Sequence, residues 1–93
     1  MADTLGYVYL KKGLSSPAID QFRFALELAG QQPMPSVQYH LGLALAQGGR
    51  NEEAAAALEK ALAAGTSFPD AAAAREALER ARAAASSSAS GPS

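Results

Sequence analysis

Along residues 2–64 apolar positions return at helical spacing. Leu5 and Tyr9 are four apart, as are Leu41 and Leu45, and Ala18, Phe22 and Ala25 keep the i, i+4, i+7 interval found again in Ala54, Leu58 and Ala61. Such intervals gather side chains on one face of a helix. The two sets also correspond to each other. Leu5-Gly6 returns as Leu41-Gly42, Gly13 as Gly49 and Phe22 as Leu58, all displaced by 36 residues. A self-match at constant offset is the mark of a stacked repeat, and each copy pairs two amphipathic helices as a hairpin.

Turn and cap residues set the expected bounds. Helix one should run from Asp3 to Lys12, with Asp3 or Thr4 near its amino end, lysines at the other and Gly13 as a left-handed cap. Helix two should open after Ser15 or Ser16 with Pro17 in its first turn and stop at Gly30. Pro33 and Pro35 exclude a continuous helix across the linker that follows. Helix three then spans Pro35 or Ser36 to Gln47, broken by Gly48-Gly49, and helix four runs from an Asn51 cap to Ala64, with Glu52 and Glu53 at the positive end of its dipole. Ser67-Phe68-Pro69-Asp70 reads as a fifth helix start with Ser67 as cap. That helix carries Ala71, Ala74, Leu78, Ala81 and Ala85 on one stripe and Arg75, Glu76, Glu79, Arg80 and Arg82 on the other side, which reads as a solvated face. Residues 86–93 have nothing to bury and are expected to be disordered. Gly6 and Gly42 sit mid-helix, where glycine costs about 1 kcal/mol relative to alanine. Finding the residue twice at one place predicts close approach by a neighbouring helix.

Leu5-Gly6 with Tyr9, then Gly13, Ala18, Phe22 and Ala25, resembles the tetratricopeptide repeat. The second copy keeps Leu41, Gly42, Gly49, Ala54 and Ala61, with Leu45 and Leu58 in place of the aromatic residues. Such repeats recur every ~34 residues, and the loop from Gly30 to Met34 can absorb the surplus. Gln38 stands where the family often has tryptophan, and the closing proline is displaced to Pro33, so the copies are divergent members. The resemblance implies an all-α fold over residues 1–85: repeat one at 2–30, repeat two at 35–64 and a capping helix at 68–85, together a short right-handed α-solenoid of about five helices. A narrower likeness, carried by Leu10-Lys11-Lys12-Gly13, by His40-Leu41-Gly42-Leu43-Ala44-Leu45-Ala46 and by Phe68-Pro69-Asp70-Ala71-Ala72, is to bacterial tetratricopeptide proteins of exopolysaccharide export and PEP-CTERM sorting systems.

Composition narrows the function. With 48% apolar and 18% charged residues the chain is globular, and its net charge of −1 gives no electrostatic reason to expect nucleic acid or an anionic membrane surface. The apolar runs are too short to span a bilayer. The absence of cysteine removes thiolate metal sites and a cysteine nucleophile. Met1-Ala2-Asp3 has neither the basic segment nor the apolar core of a secretion signal, so the compartment stays open: cytoplasmic, or periplasmic as part of an exported parent.

No catalytic constellation emerges. His40, the single histidine, has no sequence neighbour placed to serve as nucleophile, orienting carboxylate or second metal ligand, and Glu52 and Glu53 point apart on a helix. Gly48-Gly49 lacks the lysine of a phosphate loop. The chain reads as no enzyme, with no cofactor and no metal. The resemblance instead implies that the first helix of each hairpin lines a concave groove. Its inner stripe would carry Asp3, Tyr7 and Lys11, then Ser36, Tyr39, His40, Leu43 and Gln47. Of these, Tyr7, Lys11, Tyr39, His40, Leu43 and Gln47 are the candidate contacts for a protein or peptide partner, with the two tyrosines foremost because exposed aromatic rings give contact area at small entropic cost. The alternative for both rings is packing against the adjacent hairpin. Of the residues that form a terminal-carboxylate clamp in some members, only Lys11 matches, which disfavours that ligand. The rival functions are a structural segment of a longer scaffold, a homodimerisation unit joined through the uncovered helices one and two, and an accessory of envelope polysaccharide or protein export.

Overall fold

The computed structural model describes residues 2–30, 34–64 and 68–89. Five helices follow in order: α1 (Ala2–Lys11), α2 (Ser15–Ala29), α3 (Pro35–Gln47), α4 (Asn51–Ala64) and α5 (Ala71–Ala89). Each packs mainly on its neighbours in sequence, α1 on α2, α2 on α3, α3 on α4 and α4 on α5. The product is an elongated body of 42 × 27 × 21 Å.

Both hairpin turns are built alike. Gly13 and Gly49 take φ of 77° and 82°, the left-handed region that costs L side chains strain. At the first turn the Leu14 N–H donates to the Tyr9 carbonyl (2.9 Å) and the Gly13 N–H to Leu10 (3.1 Å); at the second, Arg50 donates to Leu45 (2.8 Å) and Gly49 to Ala46 (3.0 Å). This double pairing satisfies carbonyls that a helix end leaves orphaned. Pro35 opens α3, where a missing N–H is no loss.

Several boundaries differ from those read in the sequence. The first helix runs Ala2–Lys11 rather than from Asp3 to Lys12, and Asn51 is the first helical residue of α4 rather than its cap, the Arg50 carbonyl accepting from the Ala54 N–H at 2.9 Å. Leu14, not a serine, stands at the α2 N-cap without a side-chain hydrogen bond, and Pro17 is the third helical residue. Asp70 holds the corresponding place before α5, its carbonyl accepting from the Ala74 N–H at 2.8 Å after a turn over residues 68–70; the expected cap Ser67 lies outside the described residues. The end of α5 is Ala89, so residues 86–89 are helical rather than disordered. Alanine has the highest helix propensity, and the run Ala83-Ala84-Ala85 carries the helix into the serines with no glycine or proline to stop it. Residues 90–93 and 31–33 lie outside the described set.

The core is a ribbon of Leu10, Ala18, Ile19 and Phe22 from the first hairpin, Val37, Leu41, Ala44 and Leu45 from α3, Ala54, Ala57 and Leu58 from α4, and Ala74, Leu78 and Ala81 from α5. Phe22, Leu45 and Leu58 are the largest fully buried side chains. The paired glycines have the role their repetition predicts. A methyl at Gly6 would lie 2.7 Å from Phe22 Cε1, and one at Gly42 would lie 2.5 Å from Leu58 Cγ. In each hairpin, then, the large residue of the second helix presses directly on the glycine of the first. The predicted stripe of α5 turns inward, with Ala71, Ala74, Leu78 and Ala81 buried and its charged side exposed. Arg80 pairs with Glu76 at 3.7 Å, while Arg82 reaches across to Glu59 on α4.

A candidate partner-binding groove

Tyr7 and Lys11 lie one turn apart on α1, and the Lys11 Nζ sits 5.6 Å from the Tyr7 ring centroid, within cation–π range. Opposite them on α3, His40 is the centre of an aromatic cluster. Its ring lies 5.1 Å from Tyr7, 5.3 Å from Tyr39 and 5.7 Å from Phe22, stacked on the last at 27°. These separations are those of favourable ring contacts. The cluster joins the two hairpins: Phe22, locked beneath by Gly6, is its floor, and Tyr7 is its exposed edge. Tyr39 is half-buried. Burial raises its phenol above the ordinary value, and the charges of Asp70, Tyr7 and Glu76 push the same way. The two carboxylates that act on it come from the turn before α5 (Asp70) and from α5 itself (Glu76).

The remaining candidates separate into two kinds. Leu43 is half-buried and packs against the core. Gln47 is exposed but engaged in bonds within the chain: its Nε2 donates to the Leu10 carbonyl (3.2 Å) and its Oε1 accepts from Ser15 Oγ (3.0 Å). Its amide thus ties α3 to the corner between α1 and α2. Ser36 is half-buried at the start of α3, and the side chain of Asp3 lies outside those described. The sequence reading missed the stacking of His40 on Phe22 and the electrostatic influence of Asp70 and Glu76 on Tyr39. The self-match gave no signal for the first, since it relates Phe22 to Leu58 as counterparts and says nothing of what either touches.

A cleft of about 340 Å³ opens elsewhere, between α2, α3 and α4. Leu26, Leu41, Leu45 and Ala57 line it, together with Arg23, Glu53 and Lys60. Glu53 accepts from Arg23 at 3.3 Å and from Arg50 at 2.8 Å. None of the six candidate contact residues borders this cleft. Among the described residues no group of three or more His, Asp or Glu side chains is placed to hold a metal ion, and no helix is long and apolar enough to cross a membrane.

The family model described as tetratricopeptide repeat matches residues 35–64, which are α3, its turn and α4. No curated protein and no solved structure matches the chain, so the narrower likeness to export and sorting proteins gains no support. The second hairpin thus carries the family's own signature, the first repeats its glycine, its turn and its large inward residue, and the whole is an all-α, tetratricopeptide-like helical repeat module of the kind that serves protein–protein interaction.

Proposed function

We propose that the face shared by α1 and α3 holds a peptide or a protein surface without chemical change. The observation that carries this reading is the aromatic cluster of Tyr7, His40 and Tyr39, which spans two hairpins and is open on the Tyr7 side. Rings fixed by neighbouring rings lose little entropy when a partner covers them, the usual property of residues that dominate binding. In this proposal Tyr7 and Tyr39 make the principal contacts, Lys11 and Leu43 flank them, His40 sets the spacing of the two tyrosines, and Gln47 keeps the hairpins in register. No observation favours an accessory role in polysaccharide or protein export.

The test is a peptide-array screen with the labelled chain, followed by titration of the best ligands against Tyr7→Ala and Tyr39→Ala variants whose helicity has been checked by circular dichroism. Loss of a central aromatic contact should weaken binding by at least about tenfold, the equivalent of ~1.4 kcal/mol. Unchanged affinity in both variants would assign the rings to packing between hairpins and leave the chain a structural segment.

A further inference from the structure

We draw no further inference here: the strongest candidate, the cleft between α2, α3 and α4, has a floor of Leu41 and Leu45 that is only 7% and 2% exposed and a rim where Glu53 is already paired with Arg23 and Arg50, so nothing in the structure shows what occupies it.

Discussion

Replacing Gly42 by alanine sets two effects of opposite sign against each other, and the structure decides between them. Alanine in a helix interior is favoured over glycine by about 1 kcal/mol. The added methyl, however, would lie 2.5 Å from Leu58 Cγ and 2.7 Å from its Cδ2, with the Ala54 carbonyl oxygen at 3.3 Å on another side. Cγ is a branch point rather than the loose end of a chain. Leu58 is also fully buried, so it has no empty space to enter. Overpacking of this kind costs ~1–3 kcal/mol, enough to cancel the propensity gain and leave a net loss of about 1 kcal/mol. In thermal unfolding followed by circular dichroism at fixed protein concentration, that loss lowers Tm by roughly 4–8 °C for a domain of this size. The same methyl should become an asset once Leu58 is truncated. Leu58→Ala alone costs ~2–5 kcal/mol, and in that background Gly42→Ala should restore about 1 kcal/mol by propensity while partly filling the cavity. A rise in Tm for the single variant, or a loss that persists unchanged in the Leu58→Ala background, would refute the account of why glycine stands there.

Other outcomes follow from local geometry. Gly49→Ala should cost about 1 kcal/mol for a different reason, since φ of 82° strains an alanine although no atom lies within 4 Å of the new methyl; urea unfolding measures it. Gln47→Ala removes the two hydrogen bonds that bind α3 to the first hairpin and should cost about 1 kcal/mol by the same assay, more than Ser15→Ala, which removes one of them. Tyr39 should ionise above the ordinary tyrosine value of about 10, visible as a late phase of tyrosinate absorbance in a Tyr7→Phe, Tyr9→Phe background. Because the folded chain holds that proton more tightly than the unfolded one, its contribution to stability is complete below pH ~10 and disappears as pH rises through the folded value. Arg82→Ala breaks the exposed pair with Glu59 and should change stability by less than about 0.5 kcal/mol, with little response to added salt.

The helices could be read from the sequence wherever glycine or proline punctuates it. The bounds of α3 follow directly from Pro35 and Gly48-Gly49, because these residues act through backbone constraints that tertiary packing does not override, whereas Asn51, expected as a cap, is the first helical residue of α4. The end of α5 was not readable for the complementary reason: an alanine–serine run carries no stop, and propensity alone continues it to Ala89. For the candidate face, the family resemblance put Tyr7, Tyr39 and His40 on the stripe of the first helices, and in the structure the rings of Tyr7 and Tyr39 lie 5.1 and 5.3 Å from that of His40. Phase could not show that Gln47 spends its amide on Leu10 and Ser15, since this depends on how closely α3 crosses the turn between α1 and α2. Nor could it separate Leu5 from Leu41, which share a motif position but differ in what lies against them.

Among the described residues, half of the buried apolar side chains are alanines: Ala18, Ala44, Ala54, Ala57, Ala61, Ala71, Ala74 and Ala81. Helices separated by single methyl groups draw near one another, and the tolerance of the sequence to random substitution becomes lopsided. Trimming such a position to glycine removes one small group, whereas any enlargement drives new atoms into a neighbouring backbone that has no rotamer to change. A saturation library scored for folded yield should therefore show these eight sites accepting glycine or serine far more readily than valine or leucine, the inverse of the pattern expected at Phe22, Leu45 and Leu58.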